Sequence, residues 1–125
     1  MTRRLPPFLL SLALAAAPAI AQRPPPPQAG AAPFARRLQH LVGQRQGPVM
    51  LAAVHAEGNV LVFTLNGGIG WRAFVPVAAL TRAQLARHCQ RPEVRGFFNG
   101  RRLLRVDTTE LGRNRWPGQP VGRCP

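Results

Sequence analysis

The sequence predicts an α+β domain, a small antiparallel sheet with helices packed on one face, stapled by one disulfide. Three observations carry the prediction. Two runs rich in Val, Leu and Phe, residues 49–55 and 60–66, stand either side of Ala56-Glu57-Gly58-Asn59, a hairpin signal. Helix signals precede and follow that pair, which is the arrangement of helices on a sheet. Cys89 and Cys124 stand in a chain that begins like an exported protein, where two cysteines usually pair.

Residues 1–21 have the three parts of a secretory signal. Arg3 and Arg4 give a positive start, Leu5 to Ala17 is an apolar run broken by Pro6, Pro7 and Ser11, and Ala19-Ile20-Ala21 predicts cleavage after Ala21. The uncharged stretch from Leu5 to Ala21 lies near the lower limit for a membrane span and holds three prolines. A retained signal anchor is the alternative to a cleaved Sec-type signal. No Cys follows the cleavage site, so lipoprotein anchoring is not indicated. After cleavage no span is expected, and the product is periplasmic or secreted. Residues 22–33, with five prolines and no apolar periodicity, read as a flexible, extended leader. Residues 34–125 then form a single domain.

Phe34, Leu38, Leu41 and Val42 fall on one helical stripe, predicting an amphipathic helix over 34–45 that ends at Gly47-Pro48. In the strand 60–66, alternation puts Leu61, Phe63 and Leu65 toward the core and Val60, Val62 and Thr64 on the other side. Gly67-Gly68-Ile69-Gly70 reads as a turn, since it lacks the Gly-Lys-Ser/Thr ending of a phosphate loop. Trp71–Val77 is a third apolar run, weakened as a strand by Pro76. Thr81-Arg82-Ala83-Gln84 has the form of a capping box, with Leu80 and Leu85 placed as a hydrophobic staple, predicting a helix over 82–90. Pro92 opens a second short helix with Val94, Phe97 and Phe98 as its apolar face, and Asn99-Gly100 stops it. Leu103–Leu111 reads as a strand with Leu104, Val106 and Thr108 inward. Gly112-Arg113-Asn114-Arg115 turns the chain into a last segment, Trp116–Cys124.

A Cys89–Cys124 bond is the single intramolecular pairing, and closing a loop of that size is worth roughly 3–4 kcal/mol in the chain-entropy model. A free thiol or an intermolecular bridge are the alternatives. The C-terminal half resembles a family of small exported proteobacterial proteins labelled quorum-sensing-regulated virulence factors. The matching stretch is Cys89-Gln90-Arg91-Pro92-Glu93-Val94-Arg95, then Gly100, Leu103-Leu104-Arg105-Val106-Asp107 and Cys124. Members usually carry Tyr in the strand after the Gly and an acidic segment near the mature N-terminus; this chain has no Tyr, and 48–56 carries no acid. The resemblance implies an α+β sandwich with the two cysteines paired, and implies no catalytic residues.

All 17 basic residues are arginine against four acids, a formal charge of +13 that falls to +11 when the signal leaves with Arg3 and Arg4. Lysine-free composition is what a GC-rich genome produces, yet a field of this sign attracts polyanions whatever its origin. Ser11 is the sole serine, so no Ser/His/Asp triad can form in the mature chain. Asp107 and Glu110, three apart on a strand, point to opposite faces. His40, His55 and His88 have no ligand spacing, and no C-x-x-C motif exists, so no metal or cofactor is implied. His88 beside Cys89 raises an activated thiolate, which a disulfide at Cys89 would exclude. The expectation is a non-enzymatic exported domain that binds a protein or envelope component. The alternative is a polyanion binder, for lipopolysaccharide or nucleic acid, using a candidate anion-binding cluster of Arg91, Arg95, Arg101, Arg102 and Arg105 interleaved with Phe97 and Phe98.

Overall fold

The computed structural model describes residues 30–125, together with Thr2. The rest of the expected signal, and leader residues 22–29, lie outside the described residues. The chain builds one α+β unit in the order α1 (Ala32–Arg37), a 3-10 turn (Gln39–Leu41), β1 (Arg45–Gln46), β2 (Val49–Glu57), β3 (Val60–Gly67), α2 (Trp71–Phe74), α3 (Val77–Cys89), α4 (Pro92–Arg95), β4 (Leu103–Glu110) and β5 (Arg113–Trp116). The strands form one five-stranded sheet in the order β1-β2-β3-β4-β5.

The sheet is mixed, not antiparallel as the sequence reading had it. Neighbours pair antiparallel except β3 and β4, which run parallel from Val60↔Leu103 to Gly67↔Glu110. Parallel neighbours need a crossover, and α2, α3 and α4 supply it. The β2–β3 hairpin closes on Gly58-Asn59 alone, because Glu57 pairs with Val60. Leu61, Phe63 and Leu65 enter the core as the alternation predicts, joined from β4 by Leu104 and Val106. Helix α1 packs on β2 and β3, and α3 packs on β4. Val62 and Thr64 on the other face are buried as well, so β3 is covered on both sides.

Several boundaries differ from the sequence reading, each for a local reason. Residues 30–33 are not leader: Ala31 is buried, its N–H donates to the Gly58 carbonyl at 3.0 Å, and Ala32-Pro33 opens α1. The helix expected over 34–45 stops at Arg37 and a 3-10 turn. Gly43, at φ 98°, then carries the chain back to β2, where its N–H donates to the Leu51 carbonyl. Val42, counted in the apolar stripe, is therefore exposed. Trp71–Val77 forms no strand: Gly70 turns the chain into α2, which ends at Phe74, Val75 is extended, and Pro76 caps α3 a full turn ahead of Thr81. Thr81 consequently lies inside α3, where its hydroxyl donates to the Ala78 carbonyl at 3.1 Å, and no capping box forms. Residues 113–116 are a strand, with the turn drawn back to Leu111-Gly112 and Asn114 as the extra residue of a bulge.

Candidate functional site

Cys89 is the last residue of α3 and Cys124 stands at the end of the segment that follows β5; the two are bonded. That segment, 117–124, forms a strap along the edge of β4. Val121 exchanges two backbone hydrogen bonds with Leu104, each 2.8 Å. Gly118 lies so close to the Val106 carbonyl that a Cβ there would collide with it. Between the strap and α3 runs a groove of about 300 Å³, floored by Val106 and walled by Ala78, Leu85, Gly118 and Val121, with Arg82 at its rim. Its surface is mainly apolar, which suits an aliphatic side chain better than a polar metabolite.

A second arrangement sits on the far face of the sheet. Asp107 is 0% exposed, and its carboxylate accepts from Arg105 Nε at 2.7 Å, Arg105 Nη2 at 2.8 Å, Arg115 Nε at 2.8 Å and the Gly118 N–H at 3.0 Å. Burial alone would raise this carboxyl, but the bonds from Arg105 and Gly118 outweigh it and hold the group below its ordinary value. Glu57 joins through Arg105 Nη2 at 2.8 Å and His55 Nε2 at 3.2 Å, and His55 first, then Arg105, lowers its pKa. Arg115 Nη2 reaches His55 Nε2 at 3.1 Å. A carboxylate whose lone pairs are filled by charged donors is a structural anchor and is poorly suited to carrying a proton in a reaction.

The five arginines of the sequence cluster separate. Arg105 points to the far face and belongs to the Asp107 network. Arg102 is buried, with its guanidinium 4.5 Å from the Phe34 ring centroid and 5.4 Å from that of Phe97. Arg95 and Arg101 are exposed and Arg91 half-buried, on the stretch between α3 and β4. Phe97 is core, in edge contact with Phe34 at 5.0 Å and Phe98 at 5.4 Å.

The candidate reactive groups are occupied otherwise. Cys89 is in the disulfide. His88 is 1% exposed, its ring stacked on Phe63 with centroids 4.1 Å apart, and burial followed by Arg91 and Arg87 pushes its pKa down to about 4. His40 bonds the Arg37 carbonyl at 2.9 Å. Among the described residues no group of three or more His, Cys, Asp or Glu is placed to hold a metal, and no helix is long and apolar enough to cross a membrane.

Sequence reasoning missed the Asp107 network, although its signal is present. His55-x-Glu57 and Arg105-x-Asp107 are charged i, i+2 pairs, and each pair must project from one face of its own strand, β2 and β4, which lie either side of β3. What the pattern cannot give is the register that brings them together, with Val62 flanked by His55 and Arg105.

No family model and no curated protein matches the chain. Solved structures do. The pilotin EpsS of the Vibrio vulnificus type 2 secretion system aligns over 73% of this chain and 83% of its own, at 14% identity and a TM-score of 0.58. The type II secretion system pilotin AspS of Vibrio cholerae aligns over 73% and 84%, at 14% identity and a TM-score of 0.56. At that identity the likeness establishes the fold.

Proposed function

We propose that the chain is a non-enzymatic, exported binding domain of the cell envelope that serves a protein partner of a secretion apparatus. It receives an apolar segment of that partner in the groove between α3 and the strap. The groove carries this reading. It is apolar and lies between two elements that the Cys89–Cys124 bond and the Leu104–Val121 bridge hold at a fixed separation. A preformed groove binds without first ordering its own walls. The shared fold with two secretion pilotins, the expected signal over 1–21 and the resemblance of the C-terminal half to exported proteins support the same setting. Retention of envelope proteins from extract on immobilised residues 22–125 is the test. A specific protein should stay bound at high salt and be released when Ala78→Trp, an exposed position, fills the groove. A retained set unchanged by Ala78→Trp overturns the reading.

A narrower polyanion reading rests on Arg95 and Arg101, which are exposed, with half-buried Arg91 on the same stretch, while Arg102 and Arg105 are committed internally. Binding there would weaken steeply with salt and with Arg95→Gln and Arg101→Gln.

A further inference from the structure

The two ends of the sheet differ. One end carries the Gly58-Asn59 turn, where Asn59 bonds the Arg101 carbonyl. The other, separated from it by the length of β3, gathers the Gly67–Gly70 loop, α2 and the β4–β5 turn. There Leu111 N–H donates to the Gly67 carbonyl at 2.9 Å, and the Gly70 N–H donates to Glu110 Oε1 at 2.6 Å. These bonds bring three large apolar side chains to one end, all pointing to solvent: Ile69 is 81% exposed, Phe74 87% and Leu111 52%. Single exposed apolar residues are ordinary on a protein surface, but three on the adjoining loop, helix end and turn of one end of the sheet are a patch that calls for a partner.

The charge beside the patch is positive. Arg45 shares a hollow of about 160 Å³ with Leu111, and Arg113 follows the turn that carries Leu111. Both are exposed and neither is in an ion pair among the described residues. Arg72 lies over the Trp116 ring at 4.0 Å, and the only carboxylate here among the described residues, Glu110, is engaged by Gly70. Exposed apolar side chains flanked by unpaired arginines match the chemistry of an anionic bilayer, with phosphates outside and acyl chains beneath. A polypeptide partner fits less well, since the three side chains project from three separate segments: the Gly67–Gly70 loop, the end of α2 and the β4–β5 turn.

We propose that this end of the sheet docks on an anionic lipid surface, with Ile69, Phe74 and Leu111 entering the acyl boundary and Arg45 and Arg113 meeting the headgroup phosphates. The site is distinct from the α3–strap groove and from the Arg91–Arg101 stretch.

Residues 22–125, which hold every described element, are sedimented with vesicles of phosphatidylcholine, with and without phosphatidylglycerol. Binding should require phosphatidylglycerol and fall about fivefold for each of Arg45→Gln and Arg113→Gln. The Ile69→Ser/Phe74→Ser pair should lose at least about tenfold with an unchanged melting temperature. Phe74→Trp should shift its emission to the blue on binding and be quenched by brominated acyl chains. Equal binding by the Ile69→Ser/Phe74→Ser pair, or unquenched Phe74→Trp emission, overturns the proposal. So does a dominant loss with Arg95→Gln/Arg101→Gln, which would place the contact at the opposite end. Ala78→Trp should leave vesicle binding intact, so failure here and failure of the groove reading are told apart.

Discussion

On the helix side of the sheet, Leu61, Phe63, Leu65, Leu104 and Val106 are buried against apolar side chains. On the other side Val62 is buried as completely, yet its register neighbours are His55 and Arg105, and the layer around it is built from Arg105, Arg115, Asp107 and Glu57. The first face is held by area removed from water, which tolerates volume-conserving exchange. The second depends on pairing, and a charge left there without its partner costs far more than the pair contributes. A chain of this size has too little apolar material for two hydrophobic layers, and long arginine stems cover the second face in their place.

Removing Asp107 is the largest test of that contrast. Asp107→Ala strips a shared acceptor from Arg105, Arg115 and the Gly118 N–H at once. Breaking a buried pair typically costs about 3–5 kcal/mol, as much as truncating a core Phe. Urea denaturation should show this loss, and replacing Arg105 with Leu in the same chain should recover part of it. A cost below about 1 kcal/mol would make the network a solvated fringe, and the second face would need another explanation.

The faces should also fail in different pH windows. His88, on the helix side, is depressed from 6.5 to about 4, so the unfolded chain takes up its proton first as pH falls. The stability contributed by the neutral ring is whole above 6.5 and is lost on the way down to about 4, roughly 3 kcal/mol in all. Asp107 is depressed below its ordinary 3.8, so its contribution persists through that window and fades only as pH drops from that value through its folded pKa. His88→Phe keeps the stack on Phe63 and should flatten the upper slope while leaving the lower one. An unaltered upper slope in denaturation midpoints against pH would show that another group titrates there.

How much of this was legible follows the same division. The core alternation in 60–66 and 103–108 and the cysteine pair are local or unique in pairing, and each stands as read; the Pro92 helix starts as read but closes at Arg95 with Gly96 as its cap, short of Phe97, Phe98 and the expected stop at Asn99-Gly100. The parallel β3–β4 pairing and the Asp107 network depend on contacts some forty residues apart in the chain, such as Phe63↔Val106, which no window of sequence contains. Short apolar runs such as Trp71–Val77 fit helix and strand alike, and there Gly70 and Pro76 decided the outcome.

Thr81→Ala gives the smallest effect, and it separates the local reading from the observed one on the helix side. As an N-cap, Thr81 would hold an otherwise unpaired backbone N–H, and its loss would cost about 1 kcal/mol. Inside α3 its hydroxyl instead returns to the Ala78 carbonyl, a bond that competes with the helix's own, and Ala is the better helix former. The variant should therefore melt within about 0.5 kcal/mol of the parent, or slightly above it. The Thr side chain also borders the groove, so the same variant widens that wall while the fold stays fixed. Loss of a full cap's worth of stability would instead put the start of α3 at Thr81. Residues 77–80, and the Ala78 wall of the groove with them, would then no longer be helical.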